Sequence, residues 1–126
     1  MVQKILLDTN FIMIPAQFKV DIYSEIKRIC PFKHELYVLD KSLMELDTII
    51  EEQRGKNKAA ARLAKAILEA QKPKTLKTTS KDYVDSIILD LEGFIVATQD
   101  RVLRADLKKK GVKTIVLRQK KYLILE

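Results

Sequence analysis

Short apolar runs separated by amphipathic stretches set the rhythm of this chain. Ile5-Leu6-Leu7, Leu36-Tyr37-Val38-Leu39, Phe94-Ile95-Val96-Ala97 and the run from Lys113 to Leu117 have the length and composition of buried strands. The first strand is expected over residues 3–8, with a turn or short helix from Asn10 to Met13 that Pro15 limits. A helix then starts near Asp21, carries Ile22, Ile26 and Ile29 on one stripe and is closed by Pro31. After the second strand, Asp40 or Ser42 is placed to cap a helix whose inward positions are Leu43, Leu46, Ile49 and Ile50. Arg54-Gly55-Lys56-Asn57 interrupts it, and Asn57 suits the cap of a next helix from Lys58 to Gln71. That helix turns Ala60, Leu63, Ala64, Ile67 and Leu68 inward and Lys58, Arg62 and Lys65 outward. Thr75 to Thr78 reads as a short edge strand, Asp82 to Leu91 as a helix stopped at Gly93, and Arg101 to Lys110 as a helix stopped by Gly111. Tyr122 to Leu125 is expected as a short terminal strand.

This alternation of strands and helices predicts an α/β fold, a three-layer domain with a mainly parallel central sheet, and residues 1–126 as one domain. In such a sheet the carboxyl ends of the first strand and of the Phe94–Ala97 strand share an edge. Asp8 and Asp100 are therefore expected to be neighbours.

Composition narrows the function. Apolar residues make up 47% and charged residues 33%, which suits a folded globular chain. No apolar run approaches the roughly 20 residues that span a bilayer, and no signal-peptide pattern opens the chain, so a cytoplasmic protein with no membrane partner is expected. The single cysteine, Cys30, excludes an internal disulfide. A thiol nucleophile would have only His34 as its base, and His34 in Lys33-His34-Glu35 reads as an exposed connector residue. The 24 basic against 17 acidic residues give a formal charge of +7, which favours a polyanionic partner such as nucleic acid.

A basic chain with acids at its strand ends poses the chemical question. Asp8 and Asp100 each stand just beyond a strand, where α/β sheets bind ligands. Glu45 lies on the shoulder of a buried helical stripe, and Asp85 in the first turn of the helix begun near Asp82, so both can reach the same edge. The plainer roles are helix capping for Asp8, a capping-type turn with Asp82 for Asp85, and a solvated helix position for Glu45. Four converging carboxylates would repel by about 4 kcal/mol per close pair at an effective dielectric near 20. They would need bound cations or protons. Oxygen ligands alone suit Mg²⁺ or Mn²⁺ and argue against zinc, and such ions activate water and stabilise charge on a phosphate under in-line attack.

Four stretches then become recognisable in order: Asp8-Thr9-Asn10, Ser42-Leu43-Met44-Glu45-Leu46, Asp82-Tyr83-Val84-Asp85-Ser86 and Val96-Ala97-Thr98-Gln99-Asp100-Arg101. They resemble the four motifs of PIN-domain nucleases. Within that superfamily the chain is most similar to the branch of the small-subunit ribosomal RNA processing endonuclease and its archaeal relatives. Lys19-Val20-Asp21-Ile22, the stretch from Gly55 to Lys65 and the basic end from Val112 to Tyr122 carry the narrower likeness. The resemblance implies an α/β/α fold and metal-dependent endonucleolytic cleavage of single-stranded or structured RNA. It also implies a metal site at Asp8, Glu45, Asp85 and Asp100, supported by Thr9, Asn10, Ser86 and Thr98. The chain departs from the branch at Ser86, where a second acid is usual, and at Gln99, where Asn is common. Ser86 leaves open whether one ion or two is held.

An acidic pocket repels RNA, so affinity must come from cations around it. Arg101, Arg104, Lys108, Arg118, Lys120 and Lys121 form one candidate RNA-binding set, and Lys56, Lys58, Arg62 and Lys65 a second, though helix faces of this kind are often simply solvated. Expected partners are an rRNA precursor with ribosome-assembly proteins, or a small antitoxin if the chain is a VapC-type toxin. A non-catalytic RNA-binding assembly factor is a third reading, and a homodimer is left open.

Overall fold

The computed structural model describes residues 2–78 and 83–126. Its centre is a six-stranded sheet in the order β3-β2-β1-β4-β5-β6. The strands are β1 (Gln3–Leu7), β2 (His34–Leu39), β3 (Lys74–Leu76), β4 (Phe94–Ala97), β5 (Thr114–Arg118) and β6 (Tyr122–Leu125). The helices are α1 (Thr9–Ile12), α2 (Ile14–Phe18), α3 (Ile22–Ile29), α4 (Asp40–Glu52), α5 (Lys56–Ala70), α6 (Val84–Asp90) and α7 (Arg101–Lys109). Among the described residues every strand pairing is parallel except the closing β5–β6 hairpin.

β1 reads as an unbroken apolar run because both of its faces are covered. Ile5, Leu6 and Leu7 are fully buried. Ile5 and Leu7 point to one core with Phe11, Ile22, Ile26, Leu46, Ala64 and Leu68, from α1, α3, α4 and α5. Leu6 points the opposite way, to a smaller core with Ile87, Ile88, Leu103 and Leu107 from α6 and α7. The result is the α/β/α layering expected from the alternation of elements.

The chain winds from β1 outward to β2 and β3, then returns through α6 to β4 on the other side of β1. The winding direction therefore reverses between β1 and β4. The crevice at the carboxyl ends of these two strands is the topological switch point, where open α/β sheets place ligands. Leu7 pairs with Ala97, and the Asp8 N–H bonds the Ala97 carbonyl at 2.9 Å, so the residues following both strands emerge side by side.

Local departures from the expected pattern have definite causes. Pro15 does not end helical structure; it sits in the first turn of α2, where a missing N–H costs nothing. α5 begins at Lys56 after Gly55, whose φ of 67° favours glycine, rather than behind an Asn57 cap. The inward stripe of this helix, which packs against α4 and α2, is Ala61, Ala64 and Leu68, and Leu63, expected inside, is 51% exposed. The edge strand is Lys74–Leu76, one residue earlier than expected and ending two residues sooner. His34 is not a connector residue but opens β2. Neither Asp40 nor Ser42 caps α4: Leu39 is its cap, Asp40 is its first residue, and Ser42 is fully buried. Asp82, where the helix over residues 82–91 was expected to begin, lies outside the described residues.

Candidate active site

Asp8 is the fixed point. Strand β1 runs into α1 without a linker, so Asp8 is at once the last extended residue and the cap of the helix, and it is only 5% exposed. Its Oδ1 accepts the Thr9 N–H at 2.8 Å and its Oδ2 accepts the Thr98 hydroxyl at 2.7 Å. The capping role and the pocket role thus fall on one carboxylate. Asp100 repeats the device at the end of β4: its Oδ1 accepts the N–H groups of Val102 and Leu103 at 2.9 and 3.1 Å, capping α7.

Thr98 couples the two acids. Fully buried, it donates to Asp8 and accepts the Asp100 N–H at 3.1 Å. Asn10 is bound from the same loop, with its Oδ1 accepting the Gln99 N–H at 3.2 Å and its carbonyl accepting the Gln99 amide at 3.0 Å. Gln99, noted from the sequence only as a departure, is the residue that locks the β1 and β4 ends together. Glu45 arrives from α4 and accepts the Thr9 hydroxyl at 3.3 Å. Asp85 sits in the first turn of α6.

Asp8, Thr9, Asn10, Glu45 and Asp85 line one pocket of 400 Å³ at the switch point, and Asp100 stands beside it. The electrostatics show that the four acids share one field. Burial pushes the Asp8 carboxyl above its ordinary value, and the charges of Asp85 and Asp100 add to this against the hydrogen bonds from Thr98 and Thr9. Glu45 is raised by burial and by Asp8 and Asp85, with the Thr9 bond opposing. Asp85 is raised by burial, then by the Asp100 charge and a hydrogen bond with Asp100. Each ionised carboxylate here makes the next more costly.

No three His, Cys, Asp or Glu groups among the described residues already stand close enough to hold an ion between them. The donor set nevertheless fits a hard divalent cation: oxygen ligands only, partly desolvated and mutually repelling, with Asp8, Asp85 and Asp100 anchored at helix starts. Cys30 offers no alternative chemistry, since it is 1% exposed and burial pushes its thiol up.

Ser86 is exposed beside Asp85 and is not among the residues lining the pocket. Gln17, Gln53 and Asn57 do line it and were not anticipated there. Gln17 was hidden because α2 itself was hidden, and Asn57 because it resembled a cap. Of the basic candidates, Arg101, Lys108, Arg118, Lys120, Lys121, Lys56 and Arg62 are exposed, and Lys58 and Arg104 are partly so. Lys65 is tied to Asp47 at 2.6 Å.

The comparisons with known proteins agree with this geometry. Ribonuclease VapC4 of Methanocaldococcus jannaschii is 34% identical over 125 residues, covering 94% of this chain and 93% of that protein. The structure of the PIN domain endonuclease Utp24 matches with a TM-score of 0.76 over 98% of this chain and 90% of that one; at 23% identity this concerns the fold. With the PIN like domain family matched across residues 5–120, the chain belongs to that family.

Proposed function

We propose that this protein is an endoribonuclease that hydrolyses RNA phosphodiester bonds at a divalent-cation site formed by Asp8, Glu45, Asp85 and Asp100. The observation that carries the reading is the convergence of these acids at the β1–β4 switch point, where Asp8, Glu45 and Asp85 are each raised by burial and by the charge of a neighbouring acid. The 34% identity to a ribonuclease supports it.

A bound Mg²⁺ or Mn²⁺ would supply an activated water and offset charge on the phosphate under attack. The protein's own share is positional. Thr98 and the Thr9 N–H hold Asp8 at a fixed angle, Thr9 orients Glu45, and the α7 cap holds Asp100. Asn10 and Gln99 fix the distance between the loops that carry Asp8 and Asp100. Cations on α7 and the β5–β6 hairpin draw in the polyanion that the pocket alone would repel.

Two biological settings fit this activity. The likeness of Lys19–Ile22, Gly55–Lys65 and Val112–Tyr122 favours ribosomal RNA processing, whereas the VapC4 relative favours a toxin paired with an antitoxin. Toxicity on expression, relieved by a small protein encoded next to it, would select the second.

The purified protein with Mn²⁺ is expected to cut single-stranded or structured RNA internally, with cutting lost in excess chelator and restored by added Mn²⁺. Tight RNA binding with no cutting under any divalent cation would instead identify a non-catalytic RNA-binding factor.

A further inference from the structure

The basic surface beyond Asp100 is more organised than a solvated charge patch. Arg104 follows Asp100 by one turn of α7, with its N–H bonded to the Asp100 carbonyl at 2.9 Å, and its side chain is only 24% exposed. Its Nε is buried without a hydrogen-bond partner, and its Nη2 meets the Glu126 carboxylate at a long 3.4 Å. The second oxygen of that carboxylate pairs with Arg118. Glu126 is held there by backbone bonds in both directions with Thr114, at 2.7 and 3.0 Å.

Two cavities meet at this cluster. One of 640 Å³ is lined by Arg101, Arg104, Lys108, Arg118 and Glu126, among others. Its neighbour of 370 Å³ shares Arg101 and Arg104 and adds Lys120 and Gln99, the residue that binds Asn10 at the acid pocket. Four cations thus line the cavity that holds the Glu126 carboxylate, and Lys120 stands in the next one, on a path leading from the acids to the hairpin. The hairpin tip is itself constrained. Gln119 and Lys120 both have φ of 53°, a conformation that side chains rarely adopt, and the Lys120 ammonium lies 5.7 Å from the Phe18 ring centre.

We propose that Arg104 and Arg118 form a subsite for a backbone phosphate of the RNA, and that Glu126 occupies it as a built-in counter-anion which the phosphate displaces. A buried guanidinium nitrogen with no acceptor favours any ligand that supplies one. A phosphodiester can give Arg104 the side-on pair of bonds, through Nε and Nη2, that the single long contact to Glu126 does not complete. This inference rests on the RNA reading above and adds a consequence to it: Glu126 weakens RNA binding and lowers its salt dependence.

The test is the affinity of a labelled single-stranded RNA oligomer, measured by fluorescence anisotropy in chelator across a range of salt. Glu126→Gln keeps the backbone bonds to Thr114 and is expected to tighten binding about 3- to 10-fold at low salt, and to steepen the log–log salt dependence by about 0.7, the value for one further phosphate contact on a single strand. Arg118→Ala is expected to weaken binding about 10-fold and to abolish the gain from Glu126→Gln when the two are combined. Unchanged affinity and slope in Glu126→Gln, or an equal gain without Arg118, would overturn the subsite. Because cleavage plays no part in this assay, the two readings fail separately. A protein that binds in this way and never cuts overturns the hydrolytic reading alone, and one that cuts while Glu126→Gln changes nothing overturns the subsite alone.

Discussion

Asp8→Asn is expected to lower RNA cleavage by about a thousand-fold or more while leaving the fold intact. The magnitude follows from removing the most buried of the four carboxylates, since each 1.4 kcal/mol lost from transition-state stabilisation is about tenfold in rate and a catalytic cation contributes several kcal/mol. The fold should survive because an Asn oxygen can still accept the Thr9 N–H, and the Thr98 hydroxyl can turn to Asn10 Oδ1, 3.5 Å away. In metal-free protein the variant should melt at the same temperature or higher. Burial and the neighbouring acids raise the Asp8 pKa in the folded state, so its contribution to stability is present at low pH and is lost as pH rises through that raised value. At neutral pH the ionised group opposes folding, and the amide removes that opposition. Cutting at the wild-type rate would rule out the assigned site; loss of the folded state on thermal melting would make Asp8 a structural residue.

Thr98→Val carries the second large effect, and it tests the scaffold rather than a ligand. Valine matches threonine in shape but removes both the 2.7 Å bond to Asp8 and the acceptor for the Asp100 N–H. A buried donor and a buried carboxylate lose their partner, at a cost of about 1–3 kcal/mol in stability. The Thr98 bond is also what pulls the Asp8 pKa down against burial. Without it, that pKa rises further. The acids must be ionised to hold a cation, so cleavage falls as pH drops through their raised pKa values, and in Thr98→Val the acid limb should move to higher pH. The loss should accordingly deepen as pH falls, whereas Thr98→Ser should restore the wild-type profile. A uniform decrease across pH would assign Thr98 to packing alone.

Much of this arrangement is legible in the sequence because the signals are local. Three consecutive buried residues in β1 followed at once by an acid mark a strand end, and β4 has a like apolar run with Asp100 three residues beyond it, so Asp8 and Asp100 could be placed together from topology. Glu45 and Asp85 were readable as acids close to inward-facing helix positions. The misread elements failed where one local rule has two outcomes. Proline stops a preceding helix or sits in the first turn of a following one, and Pro15 takes the second place in α2, the helix that carries Gln17 to the pocket. The inward face of α5 is set by its packing on α4 and α2, which selects the small Ala61 and Ala64 with Leu68 and leaves the expected inward Leu63 exposed. The pairings that tie the site together join residues far apart in the chain: Thr9 with Glu45, Asn10 with Gln99 and Arg104 with Glu126. No spacing in a single sequence encodes these, because they arise only when the sheet order brings the segments together.

Crystals soaked in Mn²⁺ and measured at the manganese absorption edge test the central assignment most directly. An anomalous peak among the carboxylates of Asp8, Glu45, Asp85 and Asp100, about 2.1–2.3 Å from at least two of them and absent in Asp8→Asn, is the expected result. Manganese bound only elsewhere on the surface, with these four acids making no contact to it, would contradict the assignment.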